Sequence, residues 1–295
     1  MAKAAKPKIG FIGIGEMGDP MVRNLLKAEF AVTVYDLVKA NTAGVVKVGA
    51  KASRSNAELA AATDVVIIMV DTTDAARAAL FGRAGVWEAI RPGSALIIMS
   101  SIDPSFCREV AEEARKKGIE YLDVPVSGAG TPVKEGTVTL FCGGDKAVLE
   151  KYRPVLLAMG NKLFHMGAAG MGEVAKICNN YIVTVTGAVL ADAIRIASRA
   201  GVDLDTLRAA LATSSANSES LQRNWHFLAK EAAKPGTKVV KQAPRNLYKD
   251  LQLTMALAQR QGLFVPLAGV ASQLDLSRWR PPVPQKKKGR SKQLS

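Results

Sequence analysis

The first half of the chain alternates short, nearly continuous hydrophobic runs with stretches in which apolar residues recur at helical spacing. Continuous apolar runs of this length are typical of strands that are buried on both faces. Helical segments between such strands favour a mostly parallel sheet whose two faces are both covered by helices. The pattern predicts strands at 8–13, 31–35, 64–70, 95–99, 120–123 and 138–142, and helices at 19–27, 56–62, 74–81, 104–117 and 145–159.

The pattern changes near Gly172, beyond which no strand-like run remains. A long helical stretch at 173–200 is apolar round most of its surface, which predicts burial between two domains. The last residues are rich in Pro and then in Lys, a composition typical of disorder. Shorter helical patterns follow the long one at 204–213, 246–261 and 266–276, with a loop at 234–243.

A glycine-rich turn, Gly13-Ile14-Gly15-Glu16-Met17-Gly18, joins the first predicted strand to the first helix, and the second strand ends on Asp36. Glycines at this spacing let a pyrophosphate approach the helix N-terminus, and the acid can accept hydrogen bonds from ribose hydroxyls. In this full context the turn predicts a Rossmann dinucleotide-binding unit rather than a glycine-rich loop of another βαβ unit. The Asp36 carboxylate repels a 2′-phosphate, so NAD is the expected cofactor. Lys39 weakens that repulsion, which leaves NADP open.

We therefore expect an α/β protein in three parts. Residues 1–166 are predicted to form the NAD(P)-binding Rossmann domain, with a doubly wound sheet. Residues 167–278 are predicted to form an all-helical C-terminal domain that starts with the long interdomain helix. Residues 279–295 are left as a basic tail.

Small or polar residues stand at the ends of three predicted strands. Val70 and Asp71 follow one strand, Ser101 follows another, and Ser127 with Gly128 follows a third. Ligands of open α/β sheets bind at the carboxyl ends of the strands. These residues are therefore candidates for binding a cofactor or a substrate.

A second glycine-punctuated segment, 167–180, runs directly into the long helix. At 3.6 residues per turn, Lys176 and Asn180 lie one turn apart on one helix face, with Asn179 in the adjoining position. One cation and two amides therefore converge at the junction of two dissimilar halves of the chain, which predicts a functional site. The alternative is an ordinary helix start whose Lys and Asn side chains face water.

The bulk composition argues against several classes of protein. With 295 residues, of which 48% are hydrophobic and 22% charged, the chain is long enough for two globular domains. The longest apolar run is too short to span a membrane and no secretory signal pattern opens the chain, so neither insertion nor secretion is expected. Cys107, Cys142 and Cys178 form no CxxC pair and indicate a reducing cytoplasm. The two histidines lack ligand companions, so we expect no metal site.

The net charge of +14 is concentrated towards the C-terminus. Residues 278–295 carry +7 and residues 230–249 carry +5, so the rest of the chain is nearly neutral. No aromatic residue interleaves the lysines of the tail, as a base-stacking surface would require. Nucleic acid is therefore not expected as a partner.

Four motifs occur in order along the chain: Gly13-x-Gly15-x-Met17-Gly18-x-Pro20-Met21, Asp123-x-Pro-Val-Ser127-Gly128, Gly167-x-x-Gly170-x-Gly172-x-x-x-Lys176-x-x-Asn179-Asn180, and Lys249-Asp250-Leu251. With these motifs the chain resembles the β-hydroxyacid dehydrogenase family over roughly residues 8–276. The resemblance implies an NAD(P)-dependent oxidoreductase that interconverts a short 3-hydroxy acid and its semialdehyde or oxo acid. It also implies a small-molecule carboxylate as substrate, and a homodimer or homotetramer.

The resemblance further implies a role for each candidate residue. Lys176 would be the general acid/base at the substrate oxygen, and the substrate carboxylate would be held by Ser127, Gly128 and Asn180, with Asn179 in the same group. Asp71, where the family commonly has Pro, would face the cofactor. Ser101 would lie beside the nicotinamide, and Lys249 would close over the cofactor. The remaining cofactor-binding residues would be Gly13, Ile14, Gly15, Glu16, Met17, Gly18, Asp36 and Val70.

The motifs do not choose the substrate. A 3-hydroxyisobutyrate dehydrogenase-like activity is expected first, and tartronate or glyoxylate/succinic semialdehyde reductase activity is left open. An imine reductase-like enzyme is another alternative, although such enzymes more often have an acidic or aromatic residue at the lysine position. The last alternative is a catalytically inert dinucleotide-binding scaffold whose basic tail binds nucleic acid. An inert scaffold would have no need of an acid/base at Lys176.

Overall fold

The computed structural model describes residues 6–232 and 245–274. The chain divides into two compact units, with the boundary between Ile177 and Cys178. That boundary lies inside one helix, whereas the sequence pattern placed it before the helix. The difference arises because the first turn of the helix is hydrogen-bonded to a strand of the first unit. The predicted loop at 234–243 and the predicted tail at 279–295 lie outside the described residues.

A sheet of nine strands forms the centre of the first unit within the described residues. Six of the strands fall on the six predicted apolar runs. The strands are β1 (Ile9–Ile12), β2 (Val32–Tyr35), β3 (Lys51–Ala52), β4 (Val65–Ile68), β5 (Ala95–Ile98), β6 (Glu120–Asp123), β7 (Val126–Ser127), β8 (Val138–Gly144) and β9 (Gly160–Gly167).

The first six strands are parallel and lie in the order β3-β2-β1-β4-β5-β6. The chain crosses the sheet after β3, so the order reverses between β1 and β4 and leaves a crevice at their carboxyl ends. Strand β8 is antiparallel to β6 and β7 and parallel to β9. Strand β9 was not predicted, because about half of its residues are exposed and it has no continuous apolar run.

Helices cover both faces of this sheet, and several begin at a side-chain cap. Ser55, Thr72 and Asp103 each accept a hydrogen bond from a backbone N–H in the first turn of the helix that follows. Such caps satisfy backbone donors that the helix itself cannot. The helices are α1 (Gly18–Lys27), α2 (Lys39–Val46), α3 (Asn56–Ala62), α4 (Thr73–Phe81), α5 (Val86–Ala89), α6 (Pro104–Lys116), α7 (Thr131–Glu135) and α8 (Lys146–Leu157).

The core of the first unit consists of two hydrophobic clusters, one on each face of the sheet. Val65 and Ile67 belong to one cluster, whereas Val66 and Ile68 belong to the other. All four side chains are fully buried. Successive side chains of a strand point to opposite faces, so a strand covered on both sides must be apolar throughout. This explains the continuous apolar runs of the sequence.

The second unit is helical. Its core contains Ile194, Leu221, Trp225 and Leu251, all nearly inaccessible to water. Helix α11 was missing from the predicted helices, although Leu221 and Trp225 recur at helical spacing. The helices are α9 (Met171–Arg199), which begins in the first unit, α10 (Leu204–Thr213), α11 (Glu219–Ala232), α12 (Arg245–Arg260) and α13 (Pro266–Gln273).

Within the described part of the chain, α9 is the one helix long and apolar enough to cross a membrane by length and composition. Charged Glu173 and Lys176 are nevertheless buried in its first two turns, and Ile194 is buried in the core of the second unit. These features are those of a helix inside a folded protein. One face departs from the predicted burial, since Val189 is 63% and Ile196 70% exposed.

Candidate active site

The glycine-rich turn between β1 and α1 has the shape that its sequence predicts. Gly13 has a positive φ of 94°, and a Cβ on it would collide with the carbonyl oxygen of Met69. A Cβ on Gly18 would collide with the carbonyl oxygen of Gly13, whereas a Cβ on Gly15 would meet nothing within 4 Å. The turn is therefore tightly packed at Gly13 and Gly18 and open at Gly15. An open glycine surface before a helix N-terminus fits the pyrophosphate of a dinucleotide.

The Asp36 carboxylate is fixed at the end of β2 beside this turn. Its Oδ2 accepts a 2.7 Å hydrogen bond from the backbone N–H of Ile14. Its Oδ1 accepts hydrogen bonds from the Val38 backbone at 2.8 Å and from the Asn41 amide at 3.1 Å. Since a carboxylate offers about four acceptor positions, Asp36 keeps capacity for a ribose hydroxyl. Ile14 and Asp36, which were predicted as separate cofactor-binding residues, are thus hydrogen-bonded to each other.

The loops that follow β4 and β5 are joined to each other. The Ser100 hydroxyl accepts a 2.7 Å hydrogen bond from the backbone N–H of Val70. The Thr73 hydroxyl accepts a bond from the backbone N–H of Asp103 at 3.1 Å. Since β4 is also the neighbour of β1, these bonds place the Val70–Asp71 and Ser101 positions along the same strand ends as the glycine-rich turn. Ser100 was not among the predicted site residues.

The Ser127–Gly128 segment follows β6 at the same end of the parallel strands. Ser127 ends the short β7, which pairs with β8, and both Ser127 and Gly128 are partly buried. Gly128 has a positive φ of 124°, and a Cβ on it would lie 3.0 Å from the Cβ of Pro132. A residue with a side chain would therefore be strained there. The turn that follows Ser127 therefore depends on glycine at position 128.

Lys176 lies in the second turn of α9, and its relative exposure is only 9%. The start of α9 is held by Asp123, the last residue of β6, whose carboxylate accepts the backbone N–H groups of Gly170 at 2.7 Å and Glu173 at 3.2 Å. Burial raises the pKa of the Asp123 carboxyl above its ordinary value, and these two hydrogen bonds oppose the shift. Lys176 therefore belongs to the same unit as the glycine-rich turn and the Ser127 loop.

The remaining predicted residues lie in the second unit. The Asn180 amide donates a 2.8 Å hydrogen bond to the carboxylate of Asp250, and the Asn179 amide donates to Asn180 at 3.1 Å. The Lys249 ammonium is 3.7 Å from the same Asp250 carboxylate. The second unit thus brings Asn180 and Lys249 together around Asp250, which is 8% exposed. Asp250 belongs to the Lys249-Asp250-Leu251 motif, but it was not among the predicted site residues.

No group of three or more His, Cys, Asp or Glu side chains among the described residues could hold a metal ion.

Each of the two units is similar to a known protein family model. Residues 8–167 match the family model described as the NAD binding domain of 6-phosphogluconate dehydrogenase, which covers more than half of the chain. Residues 170–277 match the model described as NAD-binding of NADP-dependent 3-hydroxyisobutyrate dehydrogenase. The chain belongs to the β-hydroxyacid dehydrogenase family.

Individual β-hydroxyacid dehydrogenases resemble the chain over most of their length. The chain is 34% identical over 268 residues to 2-(hydroxymethyl)glutarate dehydrogenase of Eubacterium barkeri, covering 90% of this chain and 87% of the relative. It is 34% identical over 278 residues to NAD-dependent L-serine dehydrogenase of Pseudomonas aeruginosa, covering 90% of both. Its fold aligns with 3-hydroxyisobutyrate dehydrogenase of Mycobacterium tuberculosis, in a structure with L-serine, with a TM-score of 0.79 and 32% identity over 91% of this chain and 92% of the other.

These matches confirm the predicted family, the fold class and the cofactor class. The protein is an NAD(P)-dependent β-hydroxyacid dehydrogenase that acts on CH–OH groups of small hydroxy acids. The α/β fold has a Rossmann domain and a helical C-terminal part, as predicted. The inert-scaffold alternative loses its support. The roles of the individual residues stay predictions.

Proposed function

We propose that this β-hydroxyacid dehydrogenase interconverts a short 3-hydroxy acid and its semialdehyde, with Lys176 as the general acid/base. The observation that carries the proposal is the burial of Lys176 in the second turn of α9, in the same unit as the glycine-rich turn and the Ser127–Gly128 segment. Buried ionisable side chains are concentrated at functional sites, where removal from water adjusts their affinity for a proton.

The cofactor would be held by the glycine-rich turn, by Asp36 and by the strand ends around Ser101. The packing beneath Gly13 and Gly18 supports this assignment, because only a turn without side chains lets phosphates reach the helix N-terminus. The three hydrogen bonds that orient Asp36 support NAD over NADP, since the fixed negative charge would face a 2′-phosphate. When bound, the nicotinamide accepts or supplies a hydride.

The protein itself must then transfer one proton to or from the substrate oxygen and bind the substrate carboxylate. Lys176 would take the hydroxyl proton of the alcohol when its amine is neutral, and return a proton to the carbonyl oxygen in the reductive direction. Ser127 and the backbone at Gly128 would hold the substrate carboxylate. In the second unit, the hydrogen bond to Asp250 orients the Asn180 amide. Hydroxyl, amide and backbone N–H groups are suitable donors to a carboxylate.

The names of the relatives support a narrower substrate class. 2-(Hydroxymethyl)glutarate, L-serine and 3-hydroxyisobutyrate all carry a hydroxymethyl group on the carbon that bears the carboxylate. They differ in the third substituent of that carbon. We therefore propose a 3-hydroxypropionate with one substituent at C2 as the substrate, with 3-hydroxyisobutyrate as the first candidate.

A panel of substrates tests this proposal. The three hydroxymethyl acids are assayed with NAD and with NADP. Tartronate semialdehyde, glyoxylate and succinic semialdehyde are assayed with the reduced cofactors. We expect oxidation of at least one hydroxymethyl acid, faster with NAD, while lactate, whose hydroxyl is on the adjacent carbon, reacts poorly. If all six compounds are inert with both cofactors, the proposed reaction is wrong.

We further propose a cytoplasmic homo-oligomer. All three cysteines are free thiols, which suits a reducing compartment. Ile182, Val189 and Ile196 are 64%, 63% and 70% exposed and recur every seven residues along α9. An apolar stripe at heptad spacing suits packing against another helix, and a second copy of the chain provides a matching stripe.

A further inference from the structure

The Asp123 carboxylate joins the strand before the Ser127 loop to the helix that carries Lys176. Asp123 is fully buried at the end of β6, four residues before Ser127. Its two oxygens accept the backbone N–H groups of Gly170 and Glu173, at 2.7 and 3.2 Å. Glu173 lies three residues, about one turn, before Lys176. One side chain therefore connects the proposed carboxylate-binding segment to the proposed acid/base.

Two glycines make this close arrangement possible. A Cβ on Gly143 would lie 2.6 Å from Asp123 Oδ2 and 2.7 Å from Asp123 Oδ1 and from the backbone nitrogen of Gly172. A Cβ on Gly172 would lie 2.8 Å from the carbonyl oxygen of Asp123. Contacts below 3 Å cannot be accommodated without movement. The strand and the helix start are therefore in direct backbone contact, and the carboxylate has little freedom to shift.

A second carboxylate extends the connection to the next strand. The Glu173 side chain, also fully buried, accepts a 3.2 Å hydrogen bond from the backbone N–H of Ile102. Ile102 directly follows Ser101, the residue proposed beside the nicotinamide. The first turn of α9 is thus connected both to the segment that would hold the substrate and to the segment that would face the cofactor.

Helix N-termini leave backbone N–H groups unsatisfied, and a carboxylate there gains both hydrogen bonds and the favourable end of the helix dipole. Most helices of this unit that have a side-chain cap take it from the residue immediately before the helix. Helix α9 instead receives its carboxylate from Asp123, 47 residues earlier in the chain. A cap from its own loop would satisfy the donors equally well but would not fix α9 against β6.

We propose that Asp123 is a positioning residue for the reaction, which sets the place of Lys176 relative to the Ser127–Gly128 segment by holding the first turn of α9 on the end of β6. This inference rests on the proposed function, because it requires Lys176 to be the acid/base. Asp123 itself touches neither substrate nor cofactor in this account. A displacement of a catalytic group by about 1 Å can cost about a hundredfold in rate.

The test compares Asp123→Asn with Asp145→Asn in the full-length protein. Asn keeps the shape of Asp123, but its NH2 group would face one of the two N–H donors, so the helix start must move. Asp145 is a matched control, because its carboxylate caps α8 by accepting the backbone N–H groups of Ala147 and Val148, and it lies outside the proposed site. We expect Asp123→Asn to lower kcat about ten- to hundredfold, with KM and cofactor affinity changed less than about threefold. Asp145→Asn is expected to change each constant less than about twofold.

A double mutant separates positioning from a purely structural role. If Asp123 acts through Lys176, adding Asp123→Asn to Lys176→Ala should cost less than about twofold more. If Asp123→Asn lowers kcat by the same factor in the wild-type enzyme and in the Lys176→Ala enzyme, the proposal is wrong. A folded Asp123→Asn enzyme with normal kcat would also overturn it. If Lys176→Ala alone retains turnover, the proposed function fails, and that result does not depend on Asp123.

A second variant covers the case in which Asp123→Asn does not fold, as judged by circular dichroism. Gly143→Ala inserts a methyl group between the Asp123 carboxylate and the start of α9 without removing any polar group. The same fall in kcat with nearly constant KM is expected, and a folded Gly143→Ala enzyme with normal kcat would overturn the proposal.

Discussion

The backbone N–H of Ile14, inside the glycine-rich turn, donates a 2.7 Å hydrogen bond to the Asp36 carboxylate at the end of β2. Asp36, which would bind the ribose hydroxyls, is therefore hydrogen-bonded to the turn that would hold the phosphates. Val38 and Asn41 donate to the other oxygen of the same carboxylate. With three donors fixing it, Asp36 cannot rotate away from a 2′-phosphate, so its charge should decide between NAD and NADP.

Replacing Asp36 by Asn should weaken the preference for NAD. Asn keeps an oxygen that can accept from Ile14 but removes the negative charge that repels a 2′-phosphate. We expect the ratio of kcat/KM for NAD over NADP to fall by about tenfold or more, which corresponds to roughly 1.4 kcal/mol. Steady-state kinetics with both cofactors measure it, with Asp145→Asn as the control for loss of one carboxylate. An unchanged ratio would show that Asp36 does not select the cofactor.

Replacing Lys176 by Ala should lower turnover by at least about a hundredfold, because proton transfer by a positioned group contributes this much or more. NAD affinity should change little, since the residues proposed to hold the cofactor are left in place. Lys176→Arg keeps the charge but is expected to be nearly as slow, because a guanidinium does not release a proton near neutral pH. Titration of NAD by fluorescence separates binding from turnover.

The matched control for this prediction is Lys162→Ala, which removes an exposed lysine on β9 in the same unit. It should retain normal turnover. If Lys176→Ala turns over at the same rate as Lys162→Ala, another group must serve as the acid/base.

Residues that act with close neighbours in the chain were predictable from the sequence, and residues with distant partners were not. Gly13 to Gly18 form one local turn, and Asp36 ends the next strand, so their spacing alone indicates a dinucleotide site. Asp123 accepts a hydrogen bond from Gly170, 47 residues later at the start of α9, and Asp250 accepts one from the Asn180 amide, 70 residues earlier. No local pattern identifies such partners. The clue available for Asp123 was a carboxylate that ends an apolar strand.

Replacing Asn180 by Asp should destabilise the second unit, because two carboxylates would then share a site where an amide and a carboxylate lie 2.8 Å apart. We expect a loss of about 1 to 3 kcal/mol at neutral pH, measured by chemical denaturation. Repulsion raises the pKa of the pair in the folded state, so the folded variant binds more protons than the unfolded chain. Its stability should therefore recover as the pH falls.

Asn180→Ala is the control, since it removes the hydrogen bond without adding charge. Its stability should not recover specifically at low pH relative to the wild-type protein. Equal stability of the Asp and Ala variants at every pH would contradict the proximity of residue 180 to Asp250.

The three cysteines should differ sharply in reactivity. Cys178 is exposed, whereas Cys107 and Cys142 are buried. Burial raises the pKa of the Cys107 thiol well above its ordinary value and that of Cys142 to about 12. Since the thiolate is the reactive form, a thiol reagent at pH 8 should modify one cysteine per native chain quickly and the other two only on unfolding. Cys178→Ser should abolish the fast phase, and a fast phase that persists would contradict the burial of the other thiols.

The exposed stripe on α9 should be needed for self-association. Val189 lies at the centre of the stripe, with Ile182 and Ile196 seven residues to either side. The wild-type protein should have a solution mass that is a multiple of its 31.3 kDa chain mass, and Val189→Glu should shift it towards a single chain, because an unpaired charge in an apolar interface is costly. Gln252→Glu, an exposed charge change on α12, should leave the mass unaltered. Light scattering coupled to size exclusion gives the three masses. A wild-type monomer would refute the proposed oligomer, and an unaltered mass for Val189→Glu would place the interface elsewhere.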